Sequence, residues 1–181
     1  MEQVIVRIGE SKYFEKGSEL TITGLNGCTG VILSGENCGI AIHFYSNKTK
    51  SMFSEACCII KEKNLNSLSK CLVIYSKNDT SKINEYLNSL GEELKKIIPE
   101  KNASFRVLYY KSVANMDDIL LRLSSNPSSH FSEVKITERG ELLVNLEKLR
   151  IKTGYDAIFT KTQEELDIMI SYANTHTNLR F

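Results

Sequence analysis

The sequence predicts an α+β fold, an α/β sandwich with a mixed, largely antiparallel β-sheet core, a catalytic β-hairpin and flanking helices. Three observations carry this expectation. Short β-branched runs recur along the chain, one long segment repeats its apolar residues at helical steps, and two pairs of runs are separated by turn chemistry. A chain of 181 residues suits a single domain over 1–181, because about 70% of the surface is buried on folding at this length.

The elements are justified in order. Val4 to Ile8 is a β-branched run and a first strand, whereas Ser11 to Ser18 mixes Lys, Glu and Gly and reads as a loop or a short turn of helix. Glu19 to Thr23 alternates as a strand and runs into the tight turn Gly24-Leu25-Asn26-Gly27. Cys28 to Leu33 and Cys38 to Tyr45 flank Ser34-Gly35-Glu36-Asn37 as a hairpin. Ser51 to Ile60 reads as a buried strand, Lys61 to Lys70 as a polar connector, and Cys71 to Tyr75 as a clear strand. From Ser81 to Ile98, Ile83, Tyr86, Leu87, Leu90, Leu94, Ile97 and Ile98 recur at three- and four-residue steps, which predicts a helix; Pro99 follows it.

Phe105 to Tyr110 is a strand, and Met116 to Ser124 a short helix opened by Asn115 or Asp117. Val134 to Thr137 and Leu142 to Asn145 form a second hairpin, Tyr155 to Thr160 a strand, and Gln163 to Tyr172 a final helix with Thr162 as its cap. No internal repeat or low-complexity tract interrupts this order.

Composition narrows the function classes. Lys+Arg 23 against Asp+Glu 22 leaves a net charge of +1, and no basic block occurs, which argues against nucleic acid as the partner. The five cysteines form no Cys-x-x-Cys pair and no Cys/His cluster at zinc-like spacing, so reduced thiols, a cytosolic working environment and no metal are expected. The first residues lack the layout of a signal peptide, and no apolar run is long enough to span a membrane. Export by a signal-less route, or delivery as part of a larger toxin, is compatible with this. A monomer without cofactor is expected.

The hairpin carries the chemistry. With Gly35-Glu36 as the loop and Gly35 at the first central position of a type II′ turn, Leu33 meets Cys38, Val31 meets Ile40 and Cys28 meets His43. Directly opposed side chains have Cβ atoms roughly 4.5–5.5 Å apart, so a thiol and an imidazole can meet there. A longer loop slips the register by two and sets His43 opposite Gly30. Thr29, Val31 and Leu33 share a core face with Ile42, Ile40 and Cys38, while Cys28, Gly30 and Ile32 share the other with His43, Ala41 and Gly39. The small neighbours on that second face leave room for a bulky substrate. Glycines bracketing Cys28 permit positive φ and let N–H groups, those of Gly27 and Cys28, converge on an oxyanion. Leu25, Asn26 and Gly27 are therefore the expected substrate- and oxyanion-facing positions.

Bland readings stand beside this one. A free cysteine is most often a small buried hydrophobe, and a histidine in a strand a core residue. Cys38 is assigned to the core, Cys57-Cys58 to packing, and His130 and His176 to solvated surface. A papain-type protease would pair Cys28 with His130 or His176 and Asn174. That family opens a helix at its cysteine, whereas Thr-Gly-Val-Ile-Leu after Cys28 favours a strand.

Leu25-x-Gly27-Cys28-Thr29 with a histidine fifteen positions after Cys28 resembles the Leu-Ser-Gly-Cys and downstream His signature of the glutamine deamidase toxins, the cytotoxic necrotizing factor catalytic domain and Burkholderia lethal factor. It is also similar to the chemoreceptor deamidase CheD, through Gly39-Ile-Ala-Ile-His43. Asn26 stands where the toxins have Ser, and the resemblance covers about residues 20 to 46. It implies a bacterial toxin or effector that converts a glutamine of a host protein to glutamate, with Cys28 as nucleophile and His43 as base. Thr23, or Thr21, would be the orienting third member, and a backbone carbonyl is the alternative. Substrates implied are Rho-family GTPases, a translation-initiation helicase or, on the CheD reading, bacterial chemoreceptors. The competitor from another class is a non-catalytic interaction domain.

Overall fold

The computed structural model describes residues 2–23, 28–44, 49–65, 68–76, 83–98, 104–110, 121–131, 134–136, 141–149 and 152–153. In chain order the elements are β1 (Gln3–Val6), β2 (Ser11–Glu15), β3 (Glu19–Ile22), β4 (Thr29–Ser34), β5 (Cys38–Phe44), α1 (Thr49–Lys63), β6 (Lys70–Ser76), α2 (Ile83–Leu94), β7 (Ser104–Tyr110), β8 (Leu121–Ser124), β9 (Val134–Ile136), β10 (Leu142–Asn145) and β11 (Lys152–Thr153). They build two mixed sheets, one of six strands in the order β11-β7-β6-β4-β5-β2 and one of five in the order β1-β3-β8-β10-β9. The protein is thus α+β and mostly sheet, with two helices among the described residues.

Two apolar clusters explain why these strands stack. Phe14, Ile32, Ala41, Leu72, Ile74 and Leu108 of the larger sheet join Val4, Val6, Leu20, Ile22, Leu121, Leu123, Leu142 and Val144 of the smaller in one buried cluster. This is the interior of a two-sheet sandwich. On its other face the larger sheet presents Val31, Leu33, Ile40, Ile42 and Phe44 to Phe53 and Ala56 of α1, to Leu94 at the end of α2 and to Ile98 just beyond it. The Phe44 and Phe53 ring centroids lie 5.0 Å apart. Covered on both faces, β4 and β5 read as nearly continuous apolar runs, as strands of a two-sided sheet must. A methyl at Gly39 would run into the Phe14 ring and the Leu33 carbonyl, so β5 needs a glycine there for close approach.

Several sequence expectations are corrected here. Ser11–Glu15 is a strand, because Phe14 faces the sandwich interior while Tyr13 packs on the helix side. The segment read as a strand over Ser51 to Ile60 is helix α1. Phe53, Ala56, Ile59 and Ile60 recur at steps of three and four, and that spacing outweighs the β-branched pair at its end. The described end of the short helix expected over Met116 to Ser124 is strand β8, where buried Leu121 and Leu123 alternate with half-exposed Arg122. One sheet was expected and two are found. The second hairpin is present, β9 and β10 pairing antiparallel. The strand and helix expected over 155–160 and 163–172 lie outside the described residues.

Buried polar groups stitch the sandwich at the hairpin-turn end. Gly17, with φ 96°, donates its N–H to Ser125 Oγ at 2.9 Å, and that hydroxyl donates to the Ser18 carbonyl at 3.1 Å. Fully buried Asn145 accepts from the N–H groups of Glu147 at 2.9 Å and Lys148 at 3.2 Å, and donates to the Phe131 carbonyl at 3.4 Å. Asn145→Ala leaves these groups without a partner and is expected to cost about 1–3 kcal/mol in urea unfolding; a loss below a few tenths would mean the loops hold themselves.

Burial also pushes the Cys71 thiol far above its ordinary range. A raised folded pKa makes stability full below the unfolded thiol range and lost as pH rises through it. Stability of the wild type should therefore fall above about pH 9 by up to about 1.4 kcal/mol per pH unit, and Cys71→Ala should show a shallower alkaline limb. Parallel limbs for the two proteins would contradict this.

Candidate functional site

The hairpin turn sets the geometry of the site. Gly35 donates its N–H to the Cys38 carbonyl at 2.8 Å, so the two-residue loop is Glu36-Asn37 and not Gly35-Glu36. The left-handed glycines among the described residues are Gly9 and Gly17, so Gly35 does not supply the positive φ expected of it. The register moves accordingly: Thr29 opposes Phe44, Gly30 opposes His43, and Ile32 opposes Ala41. Cys28 is therefore not directly opposite His43. Because the slip is two residues, side-chain parity is preserved, and Cys28, Gly30 and Ile32 still share a face with His43, Ala41 and Gly39.

That face is the sandwich interior. Ile32 and Ala41 belong to the cluster between the sheets, and Cys28, half-buried, packs at its margin. His43 is fully buried. The small residues of this face thus accommodate the second sheet, which corrects the expectation of a glycine-lined opening for substrate. Cys28 lies on the diagonal from His43, at the end where β3 hands the chain to β4. Thr23 follows β3 on one side of the four-residue connection 24–27, Cys28 starts the other, and His43 lies one row further in.

The main chain of His43 is fixed from the side of β2. Its carbonyl accepts from Gly9 N–H at 3.1 Å and its N–H donates to the Glu10 carbonyl at 3.0 Å. Two residues oppose one there, with Gly9 at φ 79°, which is a glycine β-bulge. Glu10 N–H also returns to the Arg7 carbonyl at 3.0 Å, closing the turn that supplies the bulge. Since both polar groups of His43 point toward Gly9 and Glu10, Gly30 and His43 form a non-hydrogen-bonded pair, the kind in which Cα atoms approach to about 4.5 Å.

Burial pushes the Cys28 thiol above its ordinary range, so in the resting protein it is neutral at physiological pH. Leu25, Asn26 and Gly27 lie outside the described residues. Thr23 is half-buried and donates its N–H to the Val6 carbonyl at 3.3 Å. Thr21 alternates with the interior residues Leu20 and Ile22 and lies on the outer side of the smaller sheet. Sequence reasoning missed the bulge, although Gly9-Glu10 before a β strand was its available signal. Cys38 sits on the helix side as expected, with burial first and Glu15 second raising its thiol. Among the described residues no group of three His, Cys, Asp or Glu is placed to hold a metal, and no helix is long and apolar enough to cross a membrane.

A neutral Cys28 should react with iodoacetamide slowly at neutral pH, its rate rising to half-maximum above the ordinary thiol midpoint of about 8.5. Peptide-resolved mass spectrometry across pH measures this, and a midpoint well below that value would contradict the placement of the thiol. No protein-family model matches the chain, and no curated protein matches it in sequence.

Proposed function

We propose that the chain is a cysteine-dependent protein-glutamine deamidase of the bacterial toxin or effector kind, with Cys28 as nucleophile and His43 as base. The observation that carries the reading is the placement of the two side chains on one face of one strand pair, in adjacent rows, at the end where the chain crosses between the sheets. A base in the next interior row, with no solvent exposure, is screened from water. Because burial raises the thiol, the proton moves during attack in this mechanism.

In this mechanism Cys28 Sγ attacks the carboxamide carbon of a substrate glutamine while the imidazole takes the thiol proton. The Cys28 N–H and, as the sequence expects, a neighbouring backbone N–H hold the oxyanion. Collapse of the tetrahedral adduct breaks the C–N bond, and the imidazolium returns its proton to the departing ammonia. Water then attacks the thioester, the imidazole takes a proton from it, and glutamate and the free thiol are released. Thr23, beside the same crossing, is the candidate for steadying the reacting groups. The resemblance of Leu25-x-Gly27-Cys28 and His43 to the deamidase toxins points to a host protein as substrate, reached by translocation into the host cytosol, with a CheD-like chemoreceptor deamidase as the nearest alternative.

A second reading, a non-catalytic interaction domain, is favoured by one specific observation: His43 has no solvent exposure. The two separate on a single comparison. Host lysate incubated with the wild-type protein, and with Cys28→Ala as control, is compared by proteomic mass spectrometry. The deamidase reading expects a glutamine converted to glutamate in a target peptide with the wild type only. Conversion that persists in Cys28→Ala removes it, because covalent catalysis does not survive the loss of its nucleophile.

A further inference from the structure

We propose that Gly9 and Gly30 are positioning residues for the His43 imidazole, clamping it from the two neighbouring strands so that the ring is directed along the interior face toward Cys28. The inference rests on the thiol–imidazole reading above and deepens it.

Three observations lead to it. On one side, the bulge at Gly9-Glu10 places two residues against His43, and bulges increase local twist and re-aim the side chain they oppose. On the other, the directly opposed residue is Gly30, in the closer of the two antiparallel pairings, and the next strand beyond it presents buried Ile74. An interior glycine costs a strand about 0.5–1 kcal/mol relative to alanine, so its missing side chain is best explained by the space it leaves. Third, Cys28 packs against the apolar cluster between the sheets that holds Ile32 and Ala41, the interior neighbours of Gly30 and His43, so thiol and imidazole share one face.

The left-handed φ of Gly9 makes the clamp testable residue by residue. Asparagine tolerates that conformation and a β-branched residue does not. The measurement is the rate of iodoacetamide modification of Cys28 at neutral pH, resolved by peptide mass, with a melting curve on each variant. His43→Ala should slow Cys28 by about tenfold, the effect of one pKa unit of lost basic assistance. Gly30→Ala should slow it to a similar extent in the presence of His43, but by less than about twofold in the His43→Ala background, since the two act through one group. Gly9→Asn should keep the wild-type rate and Gly9→Val should lose it. Should Gly30→Ala fail to fold, the Gly9 pair decides alone.

Equal slowing by Gly30→Ala in both backgrounds, or a Gly9→Val protein as reactive as wild type, overturns the clamp while leaving the pair intact. Reactivity unaltered in His43→Ala overturns the pair itself, and the clamp with it.

Discussion

The pairing of β4 with β5 at the centre of the larger sheet is the constraint on which the site depends. These strands are covered by helices on one side and by a second sheet on the other, so their side chains have two assigned destinations and no solvent face. A slip of one residue would exchange those destinations and is ruled out by the apolar pattern. A slip of two exchanges nothing in the burial pattern, because parity is conserved. The choice between registers two apart therefore falls to the turn, where the Gly35–Cys38 bond selects Glu36-Asn37 as the loop. One hydrogen bond at the turn thus decides which residue lies across from the imidazole.

This explains which parts of the molecule were legible in the sequence. Faces were: Val31, Leu33, Ile40 and Ile42 fall on the helix side, and Cys28 and His43 on the other, as alternation requires. The register was not, because the reading relied on a left-handed Gly35 that the turn does not use. Helix α1 was misread because Cys-Cys-Ile-Ile at its end has strand character, while Phe53 and Ala56, which set the helical period, lie outside that run. The second sheet was invisible for a different reason. Its strands are four residues or fewer, and single short alternating runs such as Leu121–Ser124 declare a sheet only after they find partners far along the chain.

The chemistry is shaped by the same packing. On the proposed reading, a fully buried imidazole and a half-buried thiol on one interior face make a site whose acid–base partner is shielded and whose nucleophile is at the margin. Burial raises the thiol and keeps it protonated at rest, which protects it from adventitious oxidation, since it is the thiolate that oxidises. On that reading, activation belongs to the act of attack and depends on how the ring is aimed. On the inference drawn above, two glycines on opposite flanks of His43, one for its left-handed bulge and one for its missing side chain, aim it.

The most direct measurement of this arrangement is a nuclear Overhauser spectrum of the hairpin in isotopically labelled protein. The arrangement predicts cross-strand contact between the α protons of Gly30 and His43, together with contact from the His43 ring to the β protons of Cys28. A direct α-proton contact between Cys28 and His43, or ring contacts confined to Ile32 and the leucines of the smaller sheet, would contradict it.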